Sequence, residues 1–372
     1  MIACPNMLMI GATGRNVGKT EFACELIQLH SATRPVFGVK VTTVQTRDEP
    51  CPHGGQGCGA CGSLTENFCL TEARLEDGDK DTTRMLRAGA RRVFWLRVLH
   101  DHLEEGMRRL LETIPDKALV VCESNSARTV LTPGVFLVIQ EADVSAIKPS
   151  CQAVLALANQ LVRSSGSGWD FQPGRIALSG DRWVIRPNAT AIILAGGKSL
   201  RMGRDKSMLA VDGQPMIGHI AGQLSYFQER LISSNDPEKY AFLKLPVVSD
   251  REPGYGPLMG ILSSVDRAAH DLCFVTGCDI PALDPGFVMQ LLAQAEDHDI
   301  VMPQHADGRV EPLLAVYRKS IIPVAEAELR GGNRRIVSLF DKLRVRFVAA
   351  DQENWYHNLN TMEDYRLWTE VA

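Results

Sequence analysis

Leu194-Ala195-Gly196-Gly197-Lys198-Ser199-Leu200-Arg201-Met202-Gly203-Arg204-Asp205-Lys206 decides how this chain is read. It continues the apolar run Ala191-Ile192-Ile193-Leu194, which predicts a buried parallel strand. Two glycines then open a short loop that carries Arg201 and Lys206. A glycine turn lets backbone N–H groups approach a phosphate closely, and the two cations can hold polyphosphate charge. An ordinary strand-to-helix turn with surface charges would account for Gly-Gly alone. It accounts poorly for the whole string.

The remaining composition sets the frame. The chain has 372 residues, 45% hydrophobic and 23% charged, as in a soluble globular protein of two domains. A net charge of −4 argues against broad nucleic-acid binding but leaves room for small phosphorylated ligands. No apolar run approaches the roughly 18 residues of a membrane span, and the first residues carry no leader pattern. The expectation is a cytoplasmic protein without nucleic-acid or membrane partners. Its ten cysteines are then core thiols or metal ligands rather than a disulfide framework.

The N-terminal half begins with a second glycine loop. Met7-Leu8-Met9-Ile10 reads as a strand, followed by Gly11-Ala12-Thr13-Gly14-Arg15-Asn16-Val17-Gly18-Lys19-Thr20 and an amphipathic helix. Loop N–H groups and a helix N-terminus make an anion site; Gly14, Asn16 and Gly18 would shape it. Lys19 would reach the β- and γ-phosphates, and the Thr20 hydroxyl would ligate Mg²⁺. The pattern departs from the strict P-loop, because Thr13 stands where its first glycine belongs. Later strands are expected at Val36–Val41, Leu119–Glu123 and Gly134–Ile139, with Glu123 at a strand end near the metal. Alternating strands and helices imply a mostly parallel sheet covered on both faces.

Cys51, Cys58, Cys61 and Cys69 follow a C-x6-C-x2-C-x7-C spacing in a glycine-rich stretch. C-x2-C can pinch two thiolates onto one metal, so zinc or an iron–sulfur cluster is an expectation; a loop with spare thiols is the alternative. His100 and His102 are expected to be solvated surface residues.

Ser164-Ser165-Gly166-Ser167-Gly168 has a flexible-linker composition. The expected organisation is a nucleotide-binding domain over 1–163, a linker with a small hairpin over 164–188, and a second α/β domain over 189–372. In that second domain, Glu229–Asn235 and Val247–Asp250 read as strands, with Asn235 facing the ligand crevice. Leu272-Cys273-Phe274-Val275-Thr276-Gly277-Cys278-Asp279-Ile280-Pro281 delivers Asp279 at a strand's carboxyl end, where it can hold Mg²⁺ against a phosphate.

These motifs carry two resemblances. The 194–206 string resembles the LAGG-x-S-x-RMG-x-DK signature of the MobA-type molybdenum cofactor guanylyltransferases. Gly256-Pro257-Leu258-Met259-Gly260-Ile261, Cys278-Asp279-Ile280-Pro281 and Asn358-Leu359-Asn360-Thr361 resemble that family's GPL-x-G-I, CD-x-P and N-x-N-T. Residues 1–163 are similar to the MobB-type nucleotide-binding accessory proteins, through the glycine loop, Gly38-Val39-Lys40, the segment Gly78–Ala90 and Glu123. Val41 and Thr42 stand where that family usually has histidines.

The resemblance implies two doubly wound, mostly parallel α/β domains, P-loop-like and then Rossmann-like. It implies GTP as nucleotide, molybdopterin or Mo-molybdopterin as acceptor, and Mg²⁺ on Asp279, with Asn360 either completing the metal site or binding the acceptor phosphate. Leu194, Ala195, Gly196, Gly197, Gly256 and Pro257 would line the nucleotide, Asp250 would meet the guanine edge, and Arg201 with Lys206 would hold the triphosphate. Molybdoenzyme apoproteins and other cofactor-biosynthesis proteins are the implied partners. The family's CTP users usually read LAAG, so Gly197 favours guanine over a cytidylyltransferase. A non-catalytic cofactor carrier or metallochaperone would not need Arg201, Lys206 and Asp279 together. A sugar-phosphate nucleotidyltransferase would not explain the first glycine loop.

Overall fold

The structure is a computed structural model that describes residues 1–44, 64, 66–141, 147–165, 168–196, 205–350, 359 and 361–371. The chain divides into two units, Met1–Ile185 and Arg186–Ala372.

The first unit starts with β1 (Ile2–Ala12), followed by α1 (Lys19–Ser31), β2 (Val36–Val44), β3 (Phe68–Glu72), α2 (Asp81–Arg87) and β4 (Arg92–Leu99). Then come α3 (Leu103–Leu111), β5 (Leu119–Glu123), β6 (Leu131–Glu141), α4 (Pro149–Gln152) and β7 (Gln160–Ser164). The sheet order is β3-β4-β2-β5-β1-β6-β7, and only β3 runs antiparallel to its neighbour. Alternating side chains feed two cores, as a sheet covered on both faces requires. Val39, Leu96, Val98 and Val120 pack with Leu103, Met107 and Leu110 of α3. Leu8, Ile10, Val93 and Val121 pack with Phe22, Leu26 and Ile27 of α1 and Met85 of α2. Connections leave β1 towards β2 and β5 towards β6, on opposite sides. The carboxyl ends of β1 and β5 therefore form the crevice where such sheets bind ligands.

The stretch expected as a linker is, in its described part, packed structure. Ser164 bridges to Trp169, and β8 (Ile176–Ser179) and β9 (Arg182–Ile185) form a hairpin across Gly180-Asp181, with Gly180 at φ 59°. Trp183 is fully buried, and its indole N–H donates to the Asn6 carbonyl at 2.9 Å. Serine and glycine mark a loop, but Phe171, Ile176 and Trp183 return the chain to the first core. The first unit closes at Ile185, not at residue 163.

The second unit has β10 (Ala189–Leu194), the small hairpin β11 (Ala210–Val211) and β12 (Gln214–Pro215), α5 (Met216–Gln223), β13 (Glu229–Ser233) and β14 (Val247–Val248). It continues with α6 (Pro257–Arg267), β15 (Leu272–Gly277), α7 (Pro285–Ala293), β16 (Ile300–Gln304), β17 (Leu314–Arg318), α8 (Ile322–Arg330), β18 (Val345–Ala349) and α9 (Met362–Val371). Asp212 and Gly213, both at positive φ, make the tight turn between β11 and β12. The sheet order is β14-β13-β10-β15-β17-β16-β18, parallel except for β17. β10 leads towards β13 and β15 towards β16, so the crevice lies at the carboxyl ends of β10 and β15. Two expected strands end early: β13 stops at Ser233 and β14 at Val248. Asn235 and Asp250 thus stand on the loops beyond them.

Candidate active site

In the second unit, the crevice begins where β10 ends. The Ala195 N–H donates to the Ser233 carbonyl at 2.9 Å, and the Cys278 N–H donates to the Leu194 carbonyl at 3.2 Å. Gly196 is the last described residue of the glycine loop; Gly197 and Arg201 lie outside the described residues. The chain returns at Asp205, and Lys206 Nζ stands 3.5 Å from Asp279 Oδ2. Both side chains keep some exposure, 16% and 23%, so the pair can exchange each other for ligand phosphate or metal. Asp279 is fixed from several sides. Its carbonyl accepts from the Leu359 N–H at 2.9 Å, and Gln223 brackets the loop by donating to Pro281 O and accepting from Leu283 N–H. A Cβ on Gly277 would stand 2.5 Å from Asp279 Oδ1, so glycine is required for the carboxylate to sit here. Burial, then the Asp279 and Asp205 carboxylates, push the Cys278 thiol up to about 12. That keeps it protonated and no nucleophile.

A clamp the sequence did not reveal ties both ends of this loop. Tyr240 is fully buried; its hydroxyl donates to the Ala195 carbonyl at 3.1 Å and lies 3.0 Å from Ser207 Oγ. Ser207 Oγ in turn donates to Asp205 Oδ1 at 2.7 Å, and Asp205 is ion-paired with Lys239. Tyr240 sits in a short 3₁₀ helix, Glu238–Leu243, after β13 with no motif around it. Only burial of a hydroxyl, which needs a partner, could have pointed to it.

Asn235 is not aimed at the crevice as a free amide. Its Nδ2 donates to Asp250 Oδ2, and its Oδ1 accepts from the Asp250 N–H, both at 2.8 Å. Asn235 thus holds Asp250 in place through both its Oδ2 and its backbone N–H. The loop with Gly256 (φ 79°) starts α6, whose first helical residue is Pro257. Gly260 permits the helix to approach β13: a Cβ there would stand 2.9 Å from Ser233 Oγ.

In the first unit, the expected loop residues meet at the β1/β5 crevice. Asn16 (φ 56°) and Gly18 (φ 87°) bend the loop so that Lys19 and Thr20 open α1. The Asn125 side chain, just past β5, fixes the start of the loop: it accepts from the Ala12 N–H at 2.8 Å and donates to the Ala12 carbonyl at 3.0 Å. Glu123 lies against Lys19, Lys40 and Thr20, and burial holds its carboxyl above the usual carboxylate range. Its Oε1 has no hydrogen-bond partner among the described residues. Lys40, register neighbour of Glu123, is ion-paired with Asp81. Burial, then Lys19 and Arg15, lower the Lys148 ammonium to about 8. Lys19 and Lys40 thus face a buried carboxyl with one oxygen unpartnered among the described residues, and Lys148 lies near Lys19.

The cysteine expectation finds no support. Cys51, Cys58 and Cys61 lie outside the described residues, and Cys69 on β3 accepts a hydrogen bond from Arg97 at 3.1 Å. Among the described residues no group of three or more His, Cys, Asp or Glu could hold a metal ion. His100 and His102 pair with Asp101 and Glu105 at the surface.

The second crevice joins a glycine loop, a strand-end aspartate and a lysine, an arrangement suited to nucleotidyl transfer. Residues 191–346 match the family described as the MobA-like NTP transferase domain. A probable molybdenum cofactor guanylyltransferase of Carboxydothermus hydrogenoformans is 37% identical over 186 residues, 48% of this chain and 93% of that protein. One of Pelotomaculum thermopropionicum is 37% identical over 184 residues, 47% of this chain and 89% of that protein. A crystal structure of molybdopterin-guanine dinucleotide biosynthesis protein A from Archaeoglobus fulgidus is 24% identical with a TM-score of 0.44, covering 49% of this chain and 97% of that one. The second unit is a nucleotidyltransferase domain. The chain belongs to the molybdenum cofactor guanylyltransferase family.

Proposed function

We propose that the second unit transfers GMP from GTP to the terminal phosphate of molybdopterin, with or without bound molybdenum. The acceptor's phosphate oxygen forms a bond to the α-phosphorus, the bond to the bridging β-phosphate oxygen breaks, and pyrophosphate leaves. The acceptor oxygen is already anionic, so the protein's task is positioning and charge neutralisation rather than proton abstraction. The observation that carries this reading is the Lys206–Asp279 pair at 3.5 Å on the two lips of the crevice. Lys206 and Arg201 hold triphosphate oxygens, and the backbone of Gly196 and Gly197 cradles them. Mg²⁺ fits this donor set, since it takes one or two carboxylates plus substrate phosphates; when bound it polarises the α-phosphate. Asp279, with Asn360 as second protein ligand, would hold it. Asp250, oriented by Asn235, accepts from the guanine edge.

The first unit, in this reading, is a P-loop-type GTP-binding accessory domain. Gly14, Asn16 and Gly18 shape the cradle, Lys19 meets the β- and γ-phosphates, and Thr20 and Glu123 face Mg²⁺. Its buried Glu123 with an orphaned oxygen supports it.

The deciding experiment is pyrophosphate release with molybdopterin and Mg²⁺, supplying GTP, CTP, ATP and UTP separately. Release with GTP alone is expected. Release with CTP would overturn the base assignment, and none with any nucleotide would overturn the activity.

A further inference from the structure

The first unit holds a groove that the nucleotide reading does not use. Registers across its sheet align Ile10, Glu123, Lys40, Trp95 and Thr71 in one row over five strands. The next positions on the same face align Thr42, Arg97 and Cys69. Strands lie about 4.8 Å apart, which puts Trp95 about 10 Å from Glu123. Beyond Lys40, on the side away from the glycine loop, opens a cavity of about 800 Å³ whose lining includes Trp95, Arg97, Arg74 and Lys80 together with the carboxylates Glu72 and Asp77. That volume lies within the usual range of small-molecule sites.

The lining has a definite chemistry. Half-buried Trp95 donates its indole N–H to Thr42 Oγ1 at 2.9 Å, which fixes the ring plane. The Arg97 guanidinium lies over that ring, 4.7 Å from its centroid. Both carboxylates are already engaged: Glu72 takes two hydrogen bonds from Arg92 at 2.7 Å, and Asp77 accepts from the Arg74 N–H at 2.7 Å. Lys80 forms no ion pair among the described residues. The groove thus sets Arg74, Lys80 and Arg97 beside a tryptophan ring that Arg97 covers on one face.

We propose that this groove binds a second ligand of the first unit: a fused-ring heterocycle carrying a phosphate monoester, next to the nucleotide. The phosphate meets Lys80 and Arg97, and the ring lies against Trp95. The proposal goes beyond the GTP-binding reading of this unit and is tested apart from it. A pterin monophosphate and a nucleoside monophosphate share the required chemistry.

The test is equilibrium binding of 6-hydroxymethylpterin phosphate and, separately, of GMP to the full chain. Lys80 is exposed, so Lys80→Ala leaves folding intact and complements Trp95→Leu. Each variant is expected to weaken one site for one probe by at least tenfold, the scale of a lost charge-assisted contact. Lys80→Arg restores it, and pyrophosphate release by the second unit does not change. Loss for the pterin names a pterin phosphate as the ligand; loss for GMP names a nucleoside monophosphate. Identical stoichiometry and affinity for both probes in wild type, Lys80→Ala and Trp95→Leu overturn the proposal. The nucleotide reading fails separately, if Lys19→Ala still binds the same number of Mg²⁺–GTPγS molecules as wild type.

Discussion

Replacing Tyr240 by phenylalanine deletes one oxygen and no packing volume. Its effect can be worked from a proton count. Ser207 has one hydroxyl hydrogen, and the Asp205 carboxylate at 2.7 Å takes it. The single Tyr240 hydrogen is then shared between the Ala195 carbonyl at 3.1 Å and Ser207 Oγ at 3.0 Å. In Tyr240→Phe the Ala195 carbonyl, on a residue only 7% exposed, has lost that donor. An unsatisfied buried acceptor costs about 1–3 kcal/mol. If the loop stays put, that cost lowers the melting temperature of the second unit by about 2–4 °C per kcal/mol. If Ala195 turns to find water, the glycine loop loses its anchored end and GTP binding weakens. About 1.4 kcal/mol then appears as a tenfold rise in KM for GTP. Steady-state pyrophosphate release, run beside a thermal melt, reads both. Thr190→Val is the control, because Thr190 donates to Glu229 at the opposite end of β10 and should cost stability alone. The clamp is refuted if Tyr240→Phe matches wild type in both melting temperature and KM; a rise in KM that Thr190→Val does not share would show the loop released rather than merely destabilised.

Asp279→Ala should leave folding intact and lower turnover at least ~100-fold, the scale of one lost electrostatic stabiliser; Gly277→Ala, which drives a methyl to 2.5 Å from Asp279 Oδ1, should raise the Mg²⁺ concentration needed for half-maximal turnover. Wild-type turnover and Mg²⁺ dependence would remove Asp279 from the site. Lys148, at about 8 against an ordinary 10.5, binds its proton less tightly folded than unfolded, so its contribution makes stability rise between pH 8 and 10.5. Triphosphate binding reverses that local field, and calorimetry at pH 8.5 in two buffers of different ionisation heat should show proton uptake with Mg²⁺–GTP; none would place Lys148 outside the anion site. Burial pushes the Asp299 carboxyl up, but hydrogen bonds from Arg344 and Ser320 outweigh it and hold the group at about 2. Its stabilisation is present above its unfolded value, near 3.8, and is lost as pH falls through 2. Asp299→Asn should therefore flatten the acid limb of a denaturant-stability profile, and an unchanged limb would contradict the assignment. Asn125→Ala removes both partners of Ala12, and the Mg²⁺–GTPγS binding proposed for the first unit should be lost while pyrophosphate release by the second unit continues.

The strands that carry the crevices were legible because they are apolar runs closed by a glycine or an acid. Ala191–Leu194 and Leu272–Gly277 are buried on both faces, and such strands announce themselves by hydrophobicity alone. Lys206 and Asp279 were singled out by residue type and motif, and the structure brings their side chains to 3.5 Å of each other. Two things were not. The hairpin after Ser164 follows a linker-like composition, and nothing local says that Trp183 finds the Asn6 carbonyl 177 residues earlier. Asn235 looked like a ligand group because it follows a strand, yet its amide is engaged by Asp250, a partner set by the neighbouring loop. Sequence spacing marks which groups can do chemistry. It does not show which are already occupied.

That distinction bears on how the two glycine loops work. Each leaves a central strand beside one neighbour whose connection runs the other way, and each begins with a backbone carbonyl that the sheet does not pair. In the first unit that carbonyl, Ala12, is taken by Asn125 from beyond β5; a Cβ on Gly11 would stand 2.5 Å from Asn125 Oδ1, so the glycine is there to admit the amide. In the second, Ala195 is taken by Tyr240 from beyond β13. A loop rich in glycine has the most backbone freedom to lose on binding a phosphate. A side chain from a neighbouring element that fixes its first carbonyl removes part of that cost before the ligand arrives. The motif residues supply the charge, and the residues outside the motifs make the loop ready to use it.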